Sequence, residues 1–361
     1  MNNKIIIILA VLVGLAFMSN SNIELFGDYK SDCNKLPKAI KYALDKRKMK
    51  KVTDEPWEYY LPCGYTNCEN NVLKLKNEKT GKKIFMIDGC DWLASKIGLW
   101  EILDEVFGES ATKIMPKTFI LYTDDDINEF KEHYAKKKLE NKKTKFIVKN
   151  SYRQRQEGLK LKDNIKSIIE NSKKKFNLVQ DFLEDPYIIS GRKINLRYYL
   201  LIICKDNKIE GWLYNDGFVY YTPKDFKKNS MDFNRCITTG YINRKIYENN
   251  PLTIKDFHKL IGKKSIKWNK KVDELFNKTI EALSKYICKN KKVKHLTKFQ
   301  IFGPDIAPSD KLIPSLMEIN KGPDLGFKDE RDGNLKKQMI DDMFKVIEGS
   351  SQNTFRKIFS N

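Results

Sequence analysis

Between Phe299 and Gly326 the chain reads FQIFGPDIAPSDKLIPSLMEINKGPDLG, and three oxygen-bearing side chains in it, Asp305, Glu318 and Asn320, have the type and spacing of a hard-cation site. Phe299 to Ile306 alternates and is rich in Phe and Ile, Ser309-Asp310-Lys311 reads as a turn, and Leu312 to Ile319 is a second apolar run. That pattern predicts two paired strands. Glu318 and Asn320, two residues apart, then point to one face. With Asp305 on the facing strand, three hard oxygens would converge on an ion such as Mg2+, which prefers oxygen and keeps room for water and substrate phosphates. Spacing alone leaves a plainer possibility open: strand-end carboxylates followed by a turn at Asn320-Lys321-Gly322-Pro323.

Cations that could face a phosphate lie upstream. Lys145 to Lys149 (KFIVK) is a strand, and NSYRQRQEG follows it as an exposed polar turn, so Lys149 can set an ammonium against a phosphate. The loop is poor in glycine and is not a backbone cradle, and Arg153 and Arg155 could substitute charge for backbone contacts. Arg192 and Arg197 are embedded in the β-forming run RKINLRYYLLII. An arginine inside such an apolar strand is costly unless it is paired or faces a site, which singles out Arg197. Leu178 to Glu184 (LVQDFLE) is a strand ending in a polar segment, the kind of edge that meets a purine, with core packing as the other reading.

These residues need a scaffold to hold them. Ser31 to Lys51 reads as a basic helix, Pro56 to Asn70 as a loop or small subdomain, and Lys83 to Asp88 as a short strand. Gly89 to Phe107 places Leu93, Ile97, Trp100, Leu103 and Phe107 at helical spacing, one amphipathic helix with Lys96 near its first turns. On periodicity alone, Lys96 can equally be a solvated surface lysine. A strand at Thr118 to Tyr122, a charged helix from Asp124 to Lys137 and a periodic stretch from Leu159 through Ile169 follow. Lys208 to Tyr221 is read as a hairpin turning at Asn215-Asp216-Gly217. Beyond the polar stretch Cys236 to Tyr241, Lys255 to Cys288 is helical and Met339 to Ile347 is a closing amphipathic helix. No internal repeat is present.

The 361 residues suggest two or three subdomains, and a 41% hydrophobic content is enough to fold most of the chain. A net charge of +21 implies an acidic partner or, in the plainer view, a solvated lysine-rich surface. Nucleic acid is disfavoured, because no RNA-binding signature or zinc-finger spacing accompanies the charge. Seven cysteines without a CxxC pair, and three histidines, argue against a zinc site and against a closed disulfide framework, although Cys63 and Cys68 could pair; the compartment is read as reducing. Ile5 to Met18 is an unbroken apolar run of signal-peptide length after Lys4. The lysine-rich segment from Lys30 to Lys51 favours an uncleaved membrane anchor at residues 5–18 with the body in the cytosol, a cleaved signal peptide being the alternative.

Taken in order, the segments FIVKNSYRQRQEGL, VQDFLEDPYIISGRKINLRYYLLI, LYNDGFVYY, CITTGYIN and FQIFGPDIAPSDKLIPSLMEINKGPDL resemble the tubulin-tyrosine ligase-like family of ATP-grasp ligases, over about Phe85 to Phe344. The resemblance implies an α/β (α+β) ATP-grasp fold with nucleotide bound between two mixed or antiparallel-sheet subdomains and a smaller N-terminal domain. Segment 1–27 would be the hydrophobic signal or anchor with its linker, 28–123 the N-terminal domain, 124–185 the central subdomain and 186–350 the C-terminal subdomain with the Mg2+ site. By the same resemblance Lys149 and Lys96 contact ATP phosphates, Arg155 adds charge in the loop, and Gln180 lines the adenine. Arg197 stabilises the transferred phosphoryl group, Thr238 serves the nucleotide or acceptor side, and Asp305, Glu318 and Asn320 bind Mg2+.

The implied activity is ATP- and Mg2+-dependent ligation of a free amino acid to an acidic polypeptide, such as a tubulin C-terminal tail, through an acylphosphate. Three departures stand out: Tyr152, Arg153 and Gln156 where the family loop carries glycines, Tyr220 or Tyr221 where a second arginine is expected, and Thr238-Thr239 for the usual Thr-Asn pair. They keep two alternatives in view, an ATP-grasp ligase with a non-tubulin acceptor and an inactive membrane-tethered protein that binds microtubules or acidic tails.

Overall fold

The structure, a computed structural model, describes residues 27–64, 68–150 and 158–361, apart from the side chains of 68 and 69. The apolar run 5–18 and Arg153 and Arg155 lie outside the described residues. Among the described residues no helix is long and apolar enough to cross a membrane. The architecture is mixed α/β, with a large mixed sheet and a separate four-stranded antiparallel one.

The large sheet is organised on Thr297–Pro308, twelve consecutive buried residues. A strand covered on both faces reads as a nearly continuous apolar run. Of its polar residues, Lys298 is ion-paired with the buried Asp88, and Gln300 accepts from Ile87 N and donates to Lys321 O. Leu200–Lys205 pairs with the first half of this strand, while Arg192–Arg197 and Pro314–Asn320 flank its second half. Helices Lys264–Leu283 and Glu330–Ile347 present their apolar stripes to the core that this sheet carries. Trp268 is fully buried there and donates Nε1–H to Tyr198 Oη at 2.9 Å.

The small sheet runs in the order Thr118–Ile120, Leu178–Asp181, Phe146–Lys149, Leu159–Lys162. Helix Asp124–Glu140 starts on a capping box between Thr123 and Asp126, and its Phe130 packs edge-on against Phe119 and Phe146 at 5.4 Å. That ring cluster fixes the strand whose last residue is Lys149.

Several sequence readings are corrected. Gly89 to Phe107 is two helices, Cys90–Ala94 and Lys96–Phe107, because Ser95 is extended and its hydroxyl accepts from Gly98 N as the cap of the second. Lys96 therefore begins a helix rather than riding inside one. Leu159 to Lys162 is a strand paired with Phe146–Lys149, and the helix starts later, at Ile165. The run from Arg192 to Ile203 is interrupted at Tyr198 and Tyr199, since the residue opposite Tyr198 is Pro304, which accepts Tyr198 N–H but has none to return. The strand Phe355–Ser360, on the large sheet's edge, was not anticipated.

Asn215-Asp216-Gly217 is not a hairpin turn. Lys208–Tyr214 pairs with Leu200–Lys205, and Phe218–Tyr221 pairs with Arg192–Arg197, so both sides of Gly217 run along the same neighbouring segment. The turn is Asp206-Asn207, both residues left-handed with φ of 51° and 65°. Gly217 serves a close approach instead: a Cβ there would overlap the carbonyl oxygen of Arg197.

The cysteines also differ from expectation. Cys33 is joined to Cys63, not Cys63 to Cys68, and Cys204 to Cys288, with Cα separations of 4.8 and 6.1 Å. Sequence distance hid both pairs, which become neighbours only when the sheet forms. Parallel pairing of Tyr29–Lys30 with Tyr59–Tyr60 carries the segments beyond them side by side, and Ser31 Oγ–H donating to Leu61 O holds Cys33 opposite Cys63.

Candidate functional site

The sheets contribute opposite walls of one cavity of about 550 Å3, Ile147, Lys149 and Leu159 from the small sheet and Asn195, Arg197, Asp305 and Glu318 from the large one. The predicted acidic hairpin forms as two antiparallel strands in which Asp305 stands opposite Glu318 and Gly303 opposite Asn320. Directly opposed residues share a face of the sheet, so Asp305, Glu318 and Asn320 all line the cavity, and the register irregularity comes just beyond them, between Asp305 and Ile306. Asn320 Nδ2 donates to Gly303 O at 3.1 Å and to Glu318 Oε1 at 3.4 Å, which orients the amide beside the carboxylate.

Arg197 answers Asp305 from the neighbouring strand. Nε meets Oδ1 at 2.7 Å and Nη2 meets Oδ2 at 2.8 Å, a bidentate pair whose side chains are 13% and 11% exposed, and the guanidinium lies 5.3 Å from the Tyr220 ring. Burial pushes the Asp305 carboxyl above the ordinary carboxylate range, with Arg197 opposing the shift and Glu318 adding to it. Two carboxylates forced together in a dry site are stabilised by an added cation.

Lys149 ends its strand buried, with Nζ 3.4 Å from Met317 O. Burial lowers its pKa to about 8, and of its two charged neighbours Glu318 opposes the shift while Lys96 adds to it. The first residue of one helix and the last of a strand thus bring two ammonium groups to one end of the cavity. Thr238 lies on the loop that closes another side. Gln180 sits one strand behind the wall, opposite Ile147; its Nε2 donates to Thr118 Oγ1 at 2.9 Å, and its buried Oε1 has no partner among the described residues.

Lys193 and Asn195 also line the cavity and were not singled out from sequence. The signal was available: counting back in twos from Arg197 along its strand gives the same face. Arg192, on the alternate face, donates to Thr222 O at 2.7 Å instead. Burial pushes Lys193 down to about 8, and Asn195 Oδ1 is buried without a partner among the described residues, so this wall presents a cation and a vacant acceptor.

No group of three His, Cys, Asp or Glu able to hold a metal occurs among the described residues. Two carboxylates and an amide remain as the metal-grade set, all oxygen and all hard, which fits Mg2+ with substrate oxygens completing its shell and does not fit zinc. Cations at one end, hard oxygens beside them and unpaired hydrogen-bonding groups on the wall can hold a nucleoside triphosphate with its metal.

Comparison with known proteins agrees. The model of the tubulin-tyrosine ligase family matches residues 73–354. The chain is similar to a probable tubulin polyglutamylase TTLL9 of Rattus norvegicus, 28% identical over 47% of this chain and 38% of that protein. It is similar to tubulin glycylase 3B of Drosophila melanogaster, 21% identical over 73% of this chain and 35% of the other. A third likeness is to tubulin monoglutamylase TTLL4 of Mus musculus, 24% identical over 73% of this chain and 23% of that one. The chain thus spans less than half the length of these curated relatives. The ordered motifs, the mixed α/β architecture and the matched span lead to one assignment: the chain belongs to the tubulin-tyrosine ligase family.

Proposed function

We propose that the chain is an ATP- and Mg2+-dependent ligase that joins a free amino acid to a carboxylate of an acidic polypeptide acceptor through an acylphosphate. The observation that carries this reading is the convergence of Lys149, Lys96, Glu318, Asp305 and Arg197 on a single cavity. The relatives named as glutamylases and a glycylase of tubulin support the reaction class and an acceptor of tubulin-tail character.

When bound, Mg-ATP supplies the γ-phosphoryl group and a divalent charge against which it can be transferred. Asp305, Glu318 and Asn320 would hold the ion. Lys149 and Lys96 attract the phosphates in a buried setting where charge is weakly screened. An acceptor carboxylate oxygen bonds to the γ-phosphorus as the bond to ADP breaks, and the amine of the incoming amino acid then displaces phosphate from the acyl carbon. Arg197, fixed by Asp305, faces the charge that develops on the phosphoryl oxygens. No histidine or cysteine nucleophile is required, and charge neutralisation with positioning is the main work of such a site. The net charge of +21 draws an acidic acceptor toward the cavity.

The test is ADP release by the purified protein with Mg-ATP, a glutamate-rich peptide and each candidate amino acid in turn. Release with one amino acid, abolished in Glu318→Gln, is expected. Silence with every amino acid while ATP still binds would replace the ligase by a tethered binding protein.

A further inference from the structure

We propose that this body matures with two disulfides on the oxidising side of a membrane, and that its acceptor is accordingly an acidic segment of a secreted or lumenal protein. The acceptor half of the statement rests on the ligase reading above; the disulfides and their compartment do not.

Three observations combine. First, two cysteine pairs, 30 and 84 residues apart in sequence, are brought together at Cα separations of 4.8 and 6.1 Å, both inside the range that a disulfide spans. They belong to different parts of the large sheet's surroundings. Cys33 and Cys63 follow the first and third strands, whereas Cys204 lies in Leu200–Lys205 and Cys288 follows helix Lys264–Leu283. Cys288 is held in place by donating its N–H to Asp88 O at 3.0 Å, in a left-handed conformation with φ of 59°. One close pair could be chance packing; two independent pairs, each joining segments distant in sequence, are the arrangement of a protein made where thiols oxidise.

Second, exposure and pairing sort together. Cys63 is exposed and Cys288 half-buried, and both are cross-linked. Cys90 and Cys236, which belong to neither pair, are fully buried. Among cysteines whose side chains are described, those that solvent reaches all belong to the two pairs.

Third, the apolar run Ile5 to Met18 after Lys4 has the length of a signal-peptide core and is short for a membrane span. Read as a cleaved signal peptide, the alternative that the sequence leaves beside a cytosolic anchor, the run would carry the body across, since long domains translocate largely regardless of charge. The single Asn-x-Thr glycosylation sequence, Asn277-Lys278-Thr279, lies within helix Lys264–Leu283, where Thr279 is buried, so the folded body offers no glycan mark of its compartment. Ligation on that side of the membrane would draw on ATP delivered there.

The experiment expresses the full 361-residue chain in eukaryotic cells and alkylates thiols in the intact cells before lysis. Non-reducing peptide mapping is expected to give a linked pair containing Cys33 and Cys63 and another containing Cys204 and Cys288, with Cys236 alkylated only after unfolding. In parallel, protease added to sealed membranes should leave the body intact until detergent is present, or find it in the medium. Recovery of the four paired cysteines as alkylated thiols, or digestion of the body without detergent, overturns the proposal. ADP release by the purified oxidised protein is a separate readout: its absence would sink the ligase reading and with it the acceptor half, while the disulfide map and the protection result would still decide the compartment.

Discussion

Arg197 and Asp305 stand directly opposite each other on neighbouring antiparallel strands and are joined by two short bonds, at 2.7 and 2.8 Å, in the interior of the cavity. One residue of the candidate metal set is therefore already committed to a cation, and Asp305 cannot be read without Arg197. Removing one partner leaves the other charge buried and uncompensated. Arg197→Met is expected to cost roughly 3–5 kcal/mol in urea unfolding, against a much smaller cost for the double variant Arg197→Met with Asp305→Leu. Arg197→Lys keeps the charge and loses the fork, so it should unfold nearer to wild type and still fail to turn over.

Lys149 and Lys193 give a prediction in pH. Burial holds both pKa values at about 8 rather than the ordinary 10.5, so between these values the unfolded chain binds more protons than the folded one. Their contribution to stability therefore rises with pH across that window. Phosphate binding moves the other way, because it needs the ammonium form. Affinity for ATP, measured by calorimetry, should fall as pH rises through about 8, by up to tenfold per unit for each lysine that loses its proton, while the urea midpoint does not fall in parallel. Lys149→Met should bind weakly at pH 7 and show a shallower pH dependence.

The acidic hairpin was legible because its signal is local. Period-two alternation, a polar turn and two residues on one face place Asp305, Glu318 and Asn320 without knowledge of any other element. Lys149 was legible as the lysine that ends a strand before a polar turn, and Arg197 because a charged residue inside a β run is anomalous in its own sequence. What failed depended on partners. Pro304 interrupts a strand it does not belong to, Cys33 finds Cys63 only once the parallel strands align, and the Asn-Asp-Gly signal at 215–217 is outvoted by the neighbour along which the chain runs. Lys193 and Asn195 fall between these cases, since strand alternation marked their face once Arg197 was known to point at a site.

Gly217 turns that misreading into a test. A hairpin glycine is kept for a left-handed conformation, and this one is not among the residues with positive φ. It is required because the strand Arg192–Arg197 crosses too close: a Cβ would overlap Arg197 O and press on Ile254 Cδ1. Gly217→Ala should then displace the backbone that positions the Arg197 guanidinium. A loss of about 1–3 kcal/mol in stability is expected from such overpacking, together with a fall in kcat larger than the change in KM for ATP. Unchanged turnover in a stably folded variant would mean that the strand absorbs the methyl group without moving Arg197.

The cross-links make a prediction about stability that is independent of location. A disulfide acts mainly by restricting the unfolded chain, more strongly for longer loops. With 30 and 84 residues between partners, Cys33–Cys63 and Cys204–Cys288 should contribute roughly 4 and 5 kcal/mol on chain-entropy grounds. Cys204 is buried in a central strand while Cys63 is exposed, so a mild reductant should open the first cross-link well before the second. Urea unfolding followed with increasing dithiothreitol should accordingly fall in two steps, the earlier one reproduced by the double variant Cys33→Ser with Cys63→Ser. A single step, or none, would show that the two pairs do not protect the fold separately.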